Sequence, residues 1–143
     1  MFKTPRFITL LLAIGAVLVA SPARAGPLVV ITHSESAIHS LSREQVSRLF
    51  LGRLKLLPTG ERLTVVEVEP LRERFYRRLI GRDIAEINAY WARLQFSGRT
   101  QPPLRLAASE DALAAVLAER NIVGYIDADL LDPRAKVLFH LEP

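Results

Sequence analysis

The sequence predicts an α/β fold in which a central mixed sheet is flanked by helices. Short apolar runs rich in β-branched residues alternate with longer segments whose apolar residues recur every three or four positions. Capping residues, glycines and prolines separate these segments. The predicted order is β-α-β-α-α-α-β-β, and an alternation of this kind favours a sheet covered by helices.

The first strand and helix follow from local patterns. Residues 28–31 form a continuous apolar run, which is typical of a strand covered on both faces. A helix is predicted after Ser42, because its hydroxyl and the Gln45 side chain can form a capping box. Gly52 is predicted to end this helix in the left-handed conformation.

The middle of the chain contains a strand and two helices. Residues 63–68 have the composition of a strand. From Leu71 the spacing of apolar residues becomes helical, and Gly81 is the predicted end of that helix. Asp83 is the predicted N-cap of the next helix, whose apolar stripe includes Trp91. We therefore expect Trp91 to lie in the core.

The last part of the chain contains one helix and two strands. Pro102 and Pro103 interrupt the chain before Ser109, which is the predicted N-cap of the helix. Residues 122–126 and 137–139 are predicted to be short strands.

Residues 1–25 are predicted to be a cleavable secretory signal peptide. Lys3 and Arg6 precede an apolar run, and the segment ends in Ala-Arg-Ala. The alternative is a retained membrane anchor, but about 14 helical residues reach only about 21 Å, short of a hydrocarbon layer of roughly 30 Å. We expect a mature chain that starts at Gly26, is exported to the periplasm, and forms a single domain over residues 26–143.

Charge and cysteine content exclude several classes of protein. The formal net charge is +4, and three of the basic residues lie in the predicted signal peptide. Their removal leaves 16 basic and 15 acidic residues, so the mature chain has no charge excess for binding nucleic acid. The absence of cysteine excludes disulfides, thiolate metal sites and a thiol nucleophile.

The sequence offers no motif for catalysis or metal binding. His33 and His39 lie six positions apart, which is not a common helical metal spacing, and His140 is remote in sequence. Hydrolase, nucleotide-binding and metalloprotease motifs do not occur. We therefore predict a non-enzymatic protein without a cofactor or a metal site.

A set of short motifs spans most of the chain after residue 25. Its members are Leu-Ser-x-Glu-Gln-Val-x-x-Leu-Phe-Leu-Gly-Arg at residues 41–53, Phe75, Tyr90-Trp91, Phe96-Ser97-Gly98, Pro102-Pro103 and Val123-Gly124-Tyr125. In these motifs the chain resembles the phosphate-binding protein of bacterial phosphate ABC transporters, in the type 2 periplasmic binding protein-like superfamily. The resemblance implies the fold of one lobe of such a protein, a small oxyanion such as phosphate as ligand, and a membrane transporter or sensor as partner.

Two departures from the family pattern predict that anion binding is weak or lost. Family members have two lobes that close on the ligand, and this chain matches one of them. A Ser-Gly-Thr loop opens the family helix that carries the residue matching Phe75, whereas this chain has Glu69, Pro70 and Leu71 there. Proline has no amide hydrogen to donate, and the glutamate would repel an anion. A homodimer, in which a second copy rebuilds the cleft, is a further possibility.

Four residues are candidates for ligand binding. Ser34 and Ser36 follow the first predicted strand, where α/β proteins often bind ligands. Arg72 and Arg74 lie in the first turn of a predicted helix and could hold an anion. The alternatives are turn-forming roles for the serines and surface ion pairs for the arginines. The alternative function is a protein-interaction module that contacts a membrane sensor or transporter through the former cleft face.

Overall fold

A computed structural model describes residues 26–98 and 100–143 of the chain. The strands are β1 (Leu28–His33), β2 (Thr64–Val68), β3 (Leu104–Leu106), β4 (Ile122–Asp127) and β5 (Ala135–Leu141). The α-helices are α1 (Arg43–Phe50), α2 (Arg72–Ile80), α3 (Ile84–Phe96) and α4 (Ser109–Ala118). The predicted signal peptide, residues 1–25, lies outside the described residues and stays a prediction.

The strands form one mixed five-stranded sheet in the order β3-β2-β4-β1-β5. Strand β2 is parallel to β3 and β4, whereas β1 is antiparallel to both of its neighbours, β4 and β5. The carboxyl ends of β2, β3, β4 and β5 therefore lie at one edge of the sheet, and the carboxyl end of β1 lies at the opposite edge. The predicted fold class, an α/β fold with a central mixed sheet, is confirmed.

Helices cover both faces of the sheet. On one face, the buried Tyr125 of β4 stacks on Phe75 of α2 with ring centroids 3.8 Å apart and contacts Phe50 of α1. The preceding residue, Gly124, faces the other side, where Val116 of α4 lies 4.0 Å from the position of an added Cβ. Because successive residues of a strand point to opposite faces, α1 and α2 cover one face and α4 covers the other.

The local signals at three helix ends are confirmed. Ser42 and Gln45 form the predicted capping box at the start of α1. Asp83 accepts a hydrogen bond from the amide of Glu86 at the start of α3. Gly81 ends α2 with φ at 67°, in the left-handed region where an L side chain is strained.

Two details of the C-terminal part differ from the prediction. Strand β3 was not predicted, because it has only three residues and follows a proline pair; its ladder with β2 defines it. Ser109 is not the N-cap of α4: that position belongs to Ala108, and Ser109 is the first helical residue. Its hydroxyl instead donates to the Asp127 carboxylate across 3.2 Å.

Within residues 26–98 and 100–143, no helix combines the length and apolarity needed to cross a membrane.

Candidate functional site

The sheet edge where β2, β3 and β4 end carries the starts of two helices. The chain leaves β2 through a short 3-10 turn, Glu69–Leu71, and enters α2 directly. It leaves β3 and enters α4 after two alanines. Helix starts present unpaired amide hydrogens, and ligands of α/β proteins often bind at this edge. We call it the helix-start edge and treat it as the candidate functional site.

A buried ion pair lies at the centre of the helix-start edge. The Arg72 Nε atom donates to Glu67 Oε2 across 2.8 Å, and the two side chains are only 2% and 1% exposed. Arg72 Nη1 also donates to Asn88 Oδ1 of α3 at 3.0 Å. The Tyr76 hydroxyl donates a hydrogen bond to the other carboxylate oxygen of Glu67. The carboxylate of Glu67 is therefore held from two sides within the protein.

The pKa of Glu67 is governed by its burial. Removal from water raises this pKa above its ordinary value, while the hydrogen bond from Tyr76 and the charge of Arg72 act in the opposite direction. Arg72 is thus the main positive charge that stabilises the ionised form of the buried Glu67 carboxylate.

Two further arginines at this edge also pair with carboxylates of the same chain. The Arg105 Nε atom lies 3.6 Å from Glu69 and 4.0 Å from Glu67. The Arg74 Nη2 atom lies 2.5 Å from Asp127 at the end of β4. Three arginines, including Arg72, therefore meet three carboxylates, and the charges balance within the protein.

Two arginine nitrogens at this edge have no hydrogen-bond partner among the described residues. They are Nη2 of Arg72 and Nε of Arg74, and both are buried. Such groups normally find a partner in a protein or in water. These two nitrogens are therefore hydrogen-bond donors that the internal ion pairs do not use.

The four predicted site residues do not share one surface. Arg72 and Arg74 lie at the helix-start edge, but Ser34 and Ser36 follow β1, which runs in the opposite direction. Six strand residues, about 20 Å in length, separate the two edges. Ser34 is exposed, whereas Ser36 is buried and its carbonyl accepts a hydrogen bond from Lys136 at 2.6 Å. A role for the four residues in ligand binding stays a prediction.

Sequence reasoning did not identify Glu67, Arg105 and Asp127 as members of this cluster. Glu67 did carry a signal, because it is an acidic residue between valines in β2. A buried acid requires a partner, so its position could have indicated an ion pair. The identity of that partner depends on the packing of α2 against the sheet, which the sequence pattern does not contain.

The buried tyrosines predict a specific response to alkali. Burial and the negative charge of Glu67 raise the pKa of Tyr76 well above its ordinary value, and the same causes raise the pKa of Tyr125. The unfolded chain therefore loses these protons first, and the free energy of unfolding should fall as the pH rises above about 10. The expected slope rises from near zero at about pH 9 toward about 1.4 kcal/mol per pH unit for each tyrosine at about pH 11 and above, because the unfolded tyrosine titrates near pH 10.

Urea denaturation between about pH 9 and 11 measures this slope. Tyr125→Phe removes one titrating group, and the hydroxyl that it removes makes only a long, 3.5 Å hydrogen bond to Val68. The variant should show a shallower loss of stability than the wild type. Equal slopes for the two proteins would contradict the prediction.

Known proteins match this chain by structure and not by sequence. No protein-family model and no curated protein matches the sequence. A putative phosphate ABC transporter substrate-binding protein with bound phosphate from Clostridium perfringens matches 79% of this chain with a TM-score of 0.63 and 17% identity. An ABC-type phosphate transport receptor from Vibrio cholerae also matches 79% of it, with a TM-score of 0.61 and 16% identity.

The chain covers less than half of either structure, 45% of the first and 47% of the second. At this low sequence identity, the structural similarity establishes the fold alone. The five-stranded mixed sheet agrees with that fold. The resemblance to phosphate-binding proteins that the sequence motifs predicted is therefore confirmed at the level of fold. The chain shares its fold with about half of two phosphate ABC transporter substrate-binding proteins, an extent that fits one lobe.

Proposed function

We propose that the protein is a non-enzymatic, periplasmic relative of phosphate-type substrate-binding proteins in which anion binding is weak or lost. The observation that carries this proposal is the pairing of Arg72, Arg74 and Arg105 with carboxylates of the same chain. Export rests on the signal-peptide pattern of residues 1–25, and we treat residues 26–143 as the single mature domain.

The proposal follows from competition for the arginines. A phosphate at the helix-start edge would have to displace Glu69 from Arg105, because the two side chains are 3.6 Å apart. Glu69 also opens the turn before α2, and Pro70 contributes no amide hydrogen there. A like charge at close range costs about 1 to 4 kcal/mol, whereas a helix start contributes only about 0.3 to 1 kcal/mol at an exposed site. Repulsion is therefore the larger effect.

Titration calorimetry with inorganic phosphate tests the proposal. We expect a dissociation constant no tighter than about 1 mM, equivalent to about −4 kcal/mol. Glu69→Gln removes the competing charge and should strengthen binding severalfold. The matched control is Glu35→Gln at the opposite sheet edge, since Glu35 is also exposed and also pairs with an arginine, Arg120, at 2.5 Å. It should leave phosphate binding at the wild-type level.

Two results of this titration would contradict the proposal. A micromolar or tighter constant for the monomer would show that the internal carboxylates do not block the arginines. A tight constant that appears only at concentrations where the protein dimerises would show that a second copy completes the cleft. Analytical ultracentrifugation at the titration concentrations separates these two cases.

The interaction-module alternative has less support at this edge. It requires an exposed apolar face, whereas the helix-start edge carries alternating charges. Large exposed apolar side chains in the described part of the chain include Leu56, Phe96, Leu104 and Leu131. Of these, Leu104 is the first residue of β3, the outermost strand of the sheet. It therefore lies at the opposite end of that strand from the helix-start edge.

A further inference from the structure

A cavity of about 540 Å³ lies beside α3, away from the helix-start edge. It is bordered by the segment that follows α1, by the end of α2 and by one side of α3. Its apolar lining consists of Leu51, Ile80, Ile87, Ala89 and Tyr90. The volume falls in the range of small-molecule sites, about 300 to 1,000 Å³.

The charged residues around the cavity are mostly basic. Arg53, Arg82 and Arg93 line it together with one acidic residue, Glu86. Arg82 pairs with Glu86 at 3.0 Å. Within residues 26–98 and 100–143, neither Arg53 nor Arg93 has a carboxylate partner. Two positive charges therefore remain at the cavity without an internal counter-charge, in contrast to the arginines of the helix-start edge.

The aromatic wall of the cavity is held in place before any ligand binds. The Tyr90 hydroxyl donates to the Leu51 carbonyl at 2.6 Å. Its ring meets the buried Trp91 edge-on, with centroids 5.3 Å apart. The Arg53 guanidinium lies over the same ring, 5.9 Å from its centroid. A ligand would therefore find an ordered apolar surface with a cation beside it, which lowers the entropic cost of binding.

We propose that this cavity binds a small amphipathic carboxylate. The apolar body of the ligand packs against Ile80, Ala89 and the Tyr90 ring. Its carboxylate pairs with Arg53 and Arg93, the arginines that lack an internal partner. The apolar lining disfavours a fully hydrated ion such as inorganic phosphate, which gains nothing from apolar contact. The unpaired arginines favour an acid over a neutral molecule of the same shape. This inference is independent of phosphate binding at the helix-start edge.

Titration calorimetry with 4-phenylbutyrate, 4-phenylbutanol and inorganic phosphate tests which class of ligand the cavity binds. The acid and the alcohol share one apolar body, so their difference measures the contribution of the carboxylate. We expect the acid to bind at least about tenfold tighter than the alcohol, a difference of about 1.4 kcal/mol. Phosphate should not displace the acid. Equal affinities, effective competition by phosphate, or failure of the acid to bind would each overturn the proposal.

Two variants test whether the acid binds in this cavity. Ala89→Trp places a large side chain at an exposed helix position that lines the cavity, so it should abolish binding of the acid while the fold is retained. The double variant Arg53→Ala, Arg93→Ala should reduce affinity for the acid at least about tenfold and leave that for the alcohol unchanged. Wild-type binding of the acid by either variant would overturn the proposed location.

The matched control for the double variant is Arg77→Ala, Arg120→Ala. It removes the same number of positive charges from exposed side chains outside the cavity. It should bind the acid as the wild type does. A loss in the control equal to that in the double variant would show a general effect of net charge and would overturn the proposed pairing. Far-UV circular dichroism and urea denaturation show whether each variant is folded.

Discussion

Replacing Trp91 with alanine is expected to lower the free energy of unfolding by about 3 to 5 kcal/mol. The side chain is only 2% exposed. Its ring also packs against the turn after α1, where a Cβ added at Gly52 would lie 2.8 Å from Trp91 Cη2. Truncation would therefore open a large cavity between α3 and that turn. The indole Nε1 has no partner in the described part of the chain, so lost packing and not a lost hydrogen bond accounts for the effect.

Urea denaturation of the wild type and Trp91→Ala measures this loss. Phe96→Ala is the matched control, because Phe96 lies on the same helix and is 98% exposed. It should change stability by no more than about 0.5 kcal/mol. An unchanged midpoint for Trp91→Ala would place the indole outside the core and make it a candidate ligand or partner contact.

Replacing Arg72 with methionine is expected to cost about 3 to 5 kcal/mol at neutral pH. The variant leaves the carboxylate of Glu67 buried without its cation, although that side chain is only 1% exposed. Arg77→Met is the matched control, because Arg77 lies on the same helix and pairs with Glu73 in solvent at 2.7 Å. It should cost at most about 1 kcal/mol, since exposed pairs contribute little. Urea denaturation of the variants measures both values.

The pH dependence of the Arg72→Met variant has a definite sign. Burial raises the pKa of Glu67, and removing the charge of Arg72 raises it further. The folded variant then holds a proton that the unfolded chain releases near its ordinary pKa of 4.5. Between these two pKa values the free energy of unfolding falls as the pH rises. The cost of Arg72→Met should therefore be smaller at about pH 5 than at pH 7.

A double variant separates an unpaired charge from lost packing. Glu67→Leu, Arg72→Met replaces both members of the pair with apolar groups and should recover most of the stability, because a buried pair is often no better than an apolar contact. If the double variant is as unstable as Arg72→Met, or if the cost does not depend on pH, the ion pair is not the cause of the destabilisation.

The local sequence alone was enough to predict most helix ends in the described part of the chain. The bonds of the Ser42 capping box span three residues, and the Gly81 turn needs only a residue that tolerates positive φ. The 3.6-residue period likewise placed Trp91 in the core. These features depend on neighbours in sequence, so they can be derived without knowledge of the tertiary structure. The scattered family motifs added the fold of one lobe.

The arrangement of the candidate site was decided only by the tertiary structure. The sequence pattern of β1 does not determine its direction in the sheet. Because β1 is antiparallel to its neighbours, Ser34 and Arg72 lie at opposite edges. Sequence reasoning likewise assigned Ser109 to a helix cap, whereas packing of α4 against β4 turns its hydroxyl toward Asp127. Ion pairs such as Glu67 with Arg72 form where separate elements meet. Their partners are set by strand order and helix packing, which local residue preferences do not determine.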